Sequence, residues 1–303
     1  MGKIAFIFPG QGSQYIGMGK DFYNTIPICK KVFDLASKVS GIDVPALCFE
    51  ENEKINITEY TQIAMLATEV AIWKAVEERG IKADIVGGLS LGEYGALVAS
   101  KVISLEDVFK VVRKRGIFMQ EAVPSGGAMV AVLGLEAEVI EMICEKIDGT
   151  IGIANYNCPG QIVISGEEKA ATEAIKKLTE AGARKCILLK VSGPFHSPLL
   201  VDAGKRLAGV LEEVSINDIS IPYIANVTAQ FVNDKEDVKD LLEKQVYSPV
   251  RWQQSMELMI QDSVTTFIEI GPGKTLSGFI RKINKEVQVI NIEKVEDLDK
   301  LVF

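Results

Sequence analysis

A serine between two glycines is the strongest chemical signal in the sequence. Residues 88–92 read Gly-Leu-Ser-Leu-Gly, a G-x-S-x-G pattern with Ser90 at its centre. A strand-like apolar run at 85–88 leads into it, and residues 93–99 favour a helix after it. In a strand-turn-helix context the central serine is presented on a sharp turn as a nucleophile. We therefore predict that Ser90 attacks a carbonyl carbon; the alternative is a plain glycine-rich turn.

A nucleophilic serine needs a base, and the sequence contains a single histidine, His196. It lies in the loop Gly-Pro-Phe-His-Ser-Pro at 193–198, which two prolines stiffen. Its usual pKa of about 6.5 suits proton transfer at neutral pH. The residue types leave four aspartates open as the group that orients the imidazole: Asp84, Asp148, Asp202 and Asp218.

A glycine-rich turn, Phe-Pro-Gly-Gln-Gly-Ser-Gln at 8–14, follows the first predicted strand. Backbone N–H groups in such a turn can point at an anion. Together with the N–H of Leu91, the residue after the nucleophile, they would form an oxyanion hole. A dinucleotide fingerprint is a poor match because Tyr15 stands at its third glycine. A plain tight turn is the remaining alternative.

Two further motifs contain groups that could bind an anion. The run Gly-Pro-Gly-Lys-Thr at 271–275 resembles a phosphate loop, but Ile268 stands where that loop needs its first glycine. We therefore predict a strand-to-helix turn there. Arg115 follows apolar Val108 and Val111 at helical spacing, so it is expected to face inward. A planar guanidinium can hold a carboxylate through two hydrogen bonds.

The elements that must position these residues alternate along much of the chain. Apolar runs predict strands at 3–8, 85–88 and 264–270, and apolar residues three and four apart predict a helix over 61–79. Such alternation is typical of an α/β fold with a largely parallel sheet.

The middle of the chain has a different order, β-α-β-β-α-β, which is that of a ferredoxin-like unit. We expect this small domain at 127–193, inserted into a large α/β catalytic domain formed by 1–126 and 194–303. The predicted strands are 128–133, 151–155, 161–165 and 185–191, and the predicted helices are 136–147 and 167–181.

Composition excludes several other classes. The 303 residues carry a formal charge of −8, which argues against a general nucleic-acid binder. No apolar stretch approaches the roughly 18 residues of a membrane span, and no secretory signal precedes the first strand. Five cysteines without a CxxC pair, together with one histidine, cannot build a structural zinc site, and free thiols suit a reducing compartment. We therefore expect a cytoplasmic protein that contacts no membrane.

Six motifs in a fixed order resemble one family, the malonyl-CoA:acyl carrier protein transacylases and the related acyltransferase domains of polyketide synthases. The resemblance covers essentially the whole chain, and it is far more specific than G-x-S-x-G alone. It implies an α/β-hydrolase-like parallel-sheet core with a ferredoxin-like insert. The motifs are FPGQGSQ at 8–14, GLSLGEY at 88–94, RGIFMQEAVP at 115–124, IANYNCPGQIVISG at 153–166, GPFHSP at 193–198 and IGPGKTLSG at 270–278.

The resemblance also implies a role for each matching residue. Ser90 is the acylated nucleophile, and His196 acts first as base and then as acid. A backbone carbonyl, at the position of Gln245, orients the histidine in place of an aspartate. Arg115 pairs with the free carboxylate of the malonyl group. The oxyanion is held by the backbone N–H groups of Gln11 and Leu91.

The implied reaction moves a malonyl group from malonyl-CoA to the pantetheine thiol of acyl carrier protein, without a metal or redox cofactor. Phe195 resembles the malonyl-selecting form of its motif. Leu89 stands at a position where many members of the family carry histidine. Because that histidine is not the base, we expect Ser90 still to be acylated. The effect of Leu89 on acyl preference is not determined by the resemblance. Two other classes remain: a serine esterase or thioesterase, and a carrier-binding protein without turnover.

Overall fold

The computed structural model describes residues 2–301. Its strands are β1 (Lys3–Phe8), β2 (Ile85–Gly88), β3 (Gly127–Leu133), β4 (Ile151–Cys158), β5 (Gln161–Glu167), β6 (Lys185–Leu188), β7 (Val264–Ile270) and β8 (Gln288–Ile292). Its helices are α1 (Lys20–Thr25), α2 (Pro27–Ser40), α3 (Val44–Phe49), α4 (Thr58–Glu78), α5 (Gly92–Ala99), α6 (Leu105–Ala122), α7 (Ala137–Cys144), α8 (Glu168–Glu180), α9 (Val201–Leu211), α10 (Asp237–Gln245), α11 (Trp252–Gln261) and α12 (Thr275–Ile283). Short 3₁₀ turns lie at Lys54–Asn56, Pro198–Leu200 and Val295–Lys300.

One sheet is parallel, with the strand order β2-β1-β7-β8. Phe8 at the end of β1 pairs with Gly88 at the end of β2, so the loops after the two strands begin side by side. Ligands of open α/β sheets bind at this carboxyl edge. The predicted strands β1, β2 and β7 are confirmed, and helix α4 extends the predicted 61–79 by three residues at its start.

The second sheet is antiparallel, with the order β4-β5-β3-β6, and helices α7 and α8 pack on one of its faces. This confirms the ferredoxin-like unit. The last strand, predicted over 185–191, ends at Leu188, because the chain turns there and the Val191 N–H donates to the Leu189 carbonyl. The division into a domain at 127–193 and a discontinuous one at 1–126 and 194–303 stays our proposal.

The main core surrounds helix α4, which is buried on nearly every side. Such a helix needs apolar residues all round rather than one apolar stripe. An exception inside it is Glu69, which is 0% exposed and whose carboxylate oxygens have no hydrogen-bond partner among residues 2–301. Within that same range no helix has the length and apolar content to cross a membrane.

Glu69→Gln is expected to raise the melting temperature above that of the native chain. The increase should be larger at pH 8 than at pH 5. Burial holds the pKa of Glu69 well above its usual range, so the folded state binds a proton that the unfolded chain releases near pH 4.3. Stability is therefore lost as pH rises above that value, and glutamine does not titrate. Thermal unfolding at both pH values measures the difference, with exposed Glu78→Gln as the control. A shift independent of pH would contradict the prediction.

Candidate active site

Ser90 lies on the turn between β2 and α5 with a positive φ of 52°. A side chain at Gly88 would overlap the Gly92 carbonyl, and one at Gly92 would overlap the Phe8 carbonyl. Both positions therefore need glycine for close backbone packing, as the G-x-S-x-G pattern requires. The serine hydroxyl is presented at the carboxyl edge of the parallel sheet.

The only imidazole lies within hydrogen-bond distance of that hydroxyl. His196 Nε2 is 2.8 Å from Ser90 Oγ, and His196 Nδ1 is 2.8 Å from the backbone oxygen of Gln245. Because a carbonyl oxygen only accepts, Nδ1 carries the proton, and Nε2 of the neutral ring is free to accept from the serine. The backbone of His196 has a positive φ of 58°, and its backbone N–H donates to the Val246 carbonyl.

The orienting group is thus a backbone carbonyl. In the part of the chain that the structure describes, none of Asp84, Asp148, Asp202 and Asp218 forms a hydrogen bond with His196. Asp84 instead accepts from the Ile4 N–H, and Asp218 pairs with Lys235. Burial, followed by the charge of Arg115, lowers the pKa of His196 to about 4, so the ring is neutral at pH 7.

Arg115, on α6, is 1% exposed and points at the serine, which confirms that it faces inward. Its Nη2 lies 3.1 Å from Ser90 Oγ and 2.9 Å from Gln245 Oε1, and its Nη1 donates to Gln62 Oε1 at 2.8 Å. The Arg115 Nε has no hydrogen-bond partner, and Arg115 forms no salt bridge with any of residues 2–301. Burial lowers the pKa of the guanidinium, which is held by neutral oxygens. A buried cation in this setting favours an anionic ligand.

Two backbone N–H groups near the serine, those of Gln11 and Leu91, donate no hydrogen bond within residues 2–301. Both residues line the same cavity as Ser90. The Gln11 side chain is turned to Thr58 Oγ1 at 3.0 Å. Free amide donors beside a nucleophile suit a tetrahedral oxyanion.

The cavity itself, of about 210 Å³, lies between the parallel sheet and the antiparallel one. Ser90, His196 and Arg115 line it. The antiparallel sheet adds Met129, Asn155, Asn157 and Val163, the turn after β2 adds Leu89, and helix α12 adds Phe279. In the described residues no group of three or more histidine, cysteine, aspartate or glutamate side chains could hold a metal ion. The arrangement suits covalent acyl chemistry on an anionic acyl group.

The turn at 271–275 leads from β7 into α12, as predicted. The first N–H groups of α12 are already occupied, because the Glu269 carboxylate accepts from Leu276 at 3.0 Å and from Ser277 at 2.8 Å. A phosphate would compete with that buried carboxylate for the same donors. The structure thus supplies a physical reason why this motif is not a phosphate loop.

Three side chains that contact the site were missed from the sequence: Gln62, Glu93 and Asn226. Gln62 binds Arg115, Glu93 accepts from the Gln245 side chain at 2.6 Å, and Asn226 binds the Ser90 N–H at 2.6 Å. Glu93 lies in the GLSLGEY run, three residues after Ser90, and this proximity is a local sequence signal for it. Gln62 and Asn226 have no local sequence signal.

Comparisons with known proteins show the family to which the chain belongs. The model of the acyl transferase domain family matches residues 5–297. The malonyl CoA-acyl carrier protein transacylase of Bacillus subtilis is 45% identical over 99% of this chain and 96% of its own length.

Solved structures are similar throughout. The MCAT of Streptococcus pneumoniae is 48% identical with a TM-score of 0.95, covering 99% of this chain and all of that one. A malonyl-transacylase solved in complex with its type II polyketide-synthase acyl carrier protein is 37% identical, with a TM-score of 0.95 over 98% of both chains. The chain therefore belongs to the acyl transferase family, among the malonyl CoA-acyl carrier protein transacylases.

Proposed function

We propose that this protein transfers a malonyl group from malonyl-CoA to the pantetheine thiol of acyl carrier protein through a malonyl-Ser90 intermediate. The observation that carries the proposal is the guanidinium of Arg115, which has no salt-bridge partner in residues 2–301 and lies 3.1 Å from a hydroxyl that is itself 2.8 Å from a neutral imidazole. The names of the relatives and the solved complex with a carrier protein support the same donor and acceptor.

Acylation begins when His196 Nε2 takes the Ser90 Oγ proton as Oγ bonds to the thioester carbonyl carbon. The resulting oxyanion accepts hydrogen bonds from the Gln11 and Leu91 N–H groups. The carbon–sulfur bond then breaks, and the imidazolium returns its proton to the CoA sulfur. The Gln245 carbonyl holds Nδ1–H throughout, so the ring keeps its orientation while its charge changes.

Deacylation is the reverse with a different thiol. The pantetheine thiol of the carrier gives its proton to His196 as its sulfur attacks the malonyl-serine ester, and Ser90 Oγ leaves with that proton. Arg115 pairs with the free malonyl carboxylate in both steps. With acetyl, which lacks a carboxylate, the buried cation stays unpaired, so the malonyl group is selected.

The experiment that tests this function is intact-mass measurement after incubation with malonyl-CoA. Transfer is supported by an adduct of one malonyl group that is discharged to a pantetheine thiol faster than to water. Rapid loss to water would make the protein a thioesterase or esterase. No adduct would make it a carrier-binding protein, and either result would overturn the proposal.

The pH dependence of acylation is expected to follow the buried histidine. Because the pKa of His196 is lowered to about 4, the base stays neutral from pH 8 to pH 5, and the acylation rate should fall only as pH approaches 4. Rapid-mixing measurements of adduct formation give this profile. Since the unfolded histidine protonates near 6.5, folding also weakens below that pH, so circular dichroism is recorded at each point. A midpoint near 6.5 would contradict the prediction.

The proposal includes a cytoplasmic location. All five cysteines are free thiols, and four of them are buried, which suits a reducing compartment.

A further inference from the structure

The strained turn that carries Ser90 is held by one side chain from a distant segment, that of Asn226. Its Oδ1 accepts from the Ser90 N–H at 2.6 Å, and its Nδ2 donates to the Gly88 carbonyl at 2.7 Å. One carboxamide therefore pairs both backbone groups that the turn would otherwise leave unsatisfied on that side. A residue with positive φ persists only where its surroundings hold it.

Asn226 is itself held firmly. It is buried at the end of a segment that runs beside β2, where Tyr223 forms a parallel bridge with Val86. Its own N–H donates to Glu93 Oε2 at 3.2 Å, and its carbonyl accepts from the Arg251 N–H at 3.0 Å. The carboxamide thus has one orientation and little freedom to rotate.

Glu93 connects this asparagine to the residue that orients the histidine. The same Oε2 atom accepts from Gln245 Nε2 at 2.6 Å, and that Nε2 also donates to the Ser90 carbonyl at 2.9 Å. With both N–H bonds used, Gln245 turns Oε1 toward Arg115 and keeps its backbone oxygen on His196. The nucleophile and base, 106 residues apart, are therefore tied through one buried carboxylate.

We propose that Asn226 is a positioning residue for the nucleophile, and that Glu93 couples it to Gln245 so that Ser90 Oγ and His196 Nε2 stay within proton-transfer distance. Asn226 does not line the cavity and so does not touch the acyl group. Asn226 also accepts the hydrogen bond from the Ser90 N–H, so that N–H is not available to an oxyanion. The Leu91 N–H is then the free donor beside the Ser90 hydroxyl. This inference rests on the proposed function of Ser90 as nucleophile.

Asn226→Ala removes both hydrogen bonds and should slow acylation of Ser90 by about 100-fold, the loss typical of a reacting atom displaced by about 1 Å. The KM for malonyl-CoA should change little, because Arg115 and the cavity walls are untouched. Asn226→Asp keeps the volume and the acceptor but loses the donor to Gly88, so a loss of about 10-fold is expected on the same scale. This second variant serves if the alanine variant does not fold.

The test measures kcat and KM with malonyl-CoA, and separately the rate at which a fluorophosphonate labels Ser90, at a temperature below each variant's unfolding transition. The control is Asn291→Ala, which removes a side-chain bond of 2.7 Å to the Gly273 carbonyl in the comparable turn after β7. It should lower stability while both rates stay near native.

Slower labelling and a lower kcat in the Asn226 variants, at nearly unchanged KM, support the positioning role. Native rates in the folded Asn226 variants would overturn it, as would an equal loss in Asn291→Ala. The fluorophosphonate lacks a carboxylate and a CoA group, so it reports on the serine even if malonyl-CoA proves not to be the substrate. Failure of the proposed function and failure of this inference are thereby distinguished.

Discussion

Ser90→Ala is expected to abolish the malonyl adduct and to lower transfer to the carrier thiol by roughly 10⁴-fold or more, as removal of a covalent nucleophile does. Without Oγ no ester can form. The carrier thiol can then react only by attacking the malonyl-CoA thioester directly. Intact mass after incubation with malonyl-CoA and a steady-state transfer assay measure the two effects.

Ser255→Ala is the matched control for that variant. Ser255 is also buried, but its hydroxyl donates to the carbonyl of Arg251, the residue before α11, and it lies outside the cavity. The Ser255→Ala variant should therefore form the malonyl adduct and transfer malonyl at the native rate. An adduct of native yield in Ser90→Ala would assign the nucleophile to another residue.

Arg115→Ala is expected to lower kcat/KM for malonyl-CoA by about 10²–10³-fold and to remove the preference for malonyl over acetyl. The magnitude corresponds to the loss of charge-assisted hydrogen bonds to a buried carboxylate. Acetyl-CoA should lose far less, because it makes no use of the cation. The measured quantity is the ratio of the two kcat/KM values, which does not depend on the fraction of protein that folds.

Arg113→Ala provides the comparison on the same helix. Arg113 pairs with Glu59 at 3.0 Å and is partly exposed, so its removal should leave the malonyl-to-acetyl ratio unchanged. An unchanged ratio in Arg115→Ala would show that selectivity arises elsewhere in the cavity, for example from Phe195 or the Leu89 side chain.

Local patterns in the sequence predicted seven of the eight strands in residues 2–301, but they assigned neither β8 nor the helices α1–α3 and α9–α11. The runs at 3–8 and 264–270 are strands with the predicted bounds, because each is a short apolar segment stopped by proline or glycine. The run at 85–88 is likewise strand β2 with the predicted bounds. Strand β6 ends three residues early because its end depends on a turn rather than on apolar content.

The sequence by itself determined the turn that carries Ser90, because G-x-S-x-G acts on neighbouring backbone atoms, and it contains a single imidazole, that of His196. Residue types and spacing could not select the group that orients the imidazole, because every residue has a carbonyl oxygen and four aspartates were equally plausible; only the resemblance to the family indicated Gln245. Only the tertiary structure brought the Gln245 carbonyl to His196 and the Asn226 carboxamide to Ser90. These contacts join segments 49 and 136 residues apart, so they depend on how strands and helices pack, which no local spacing encodes.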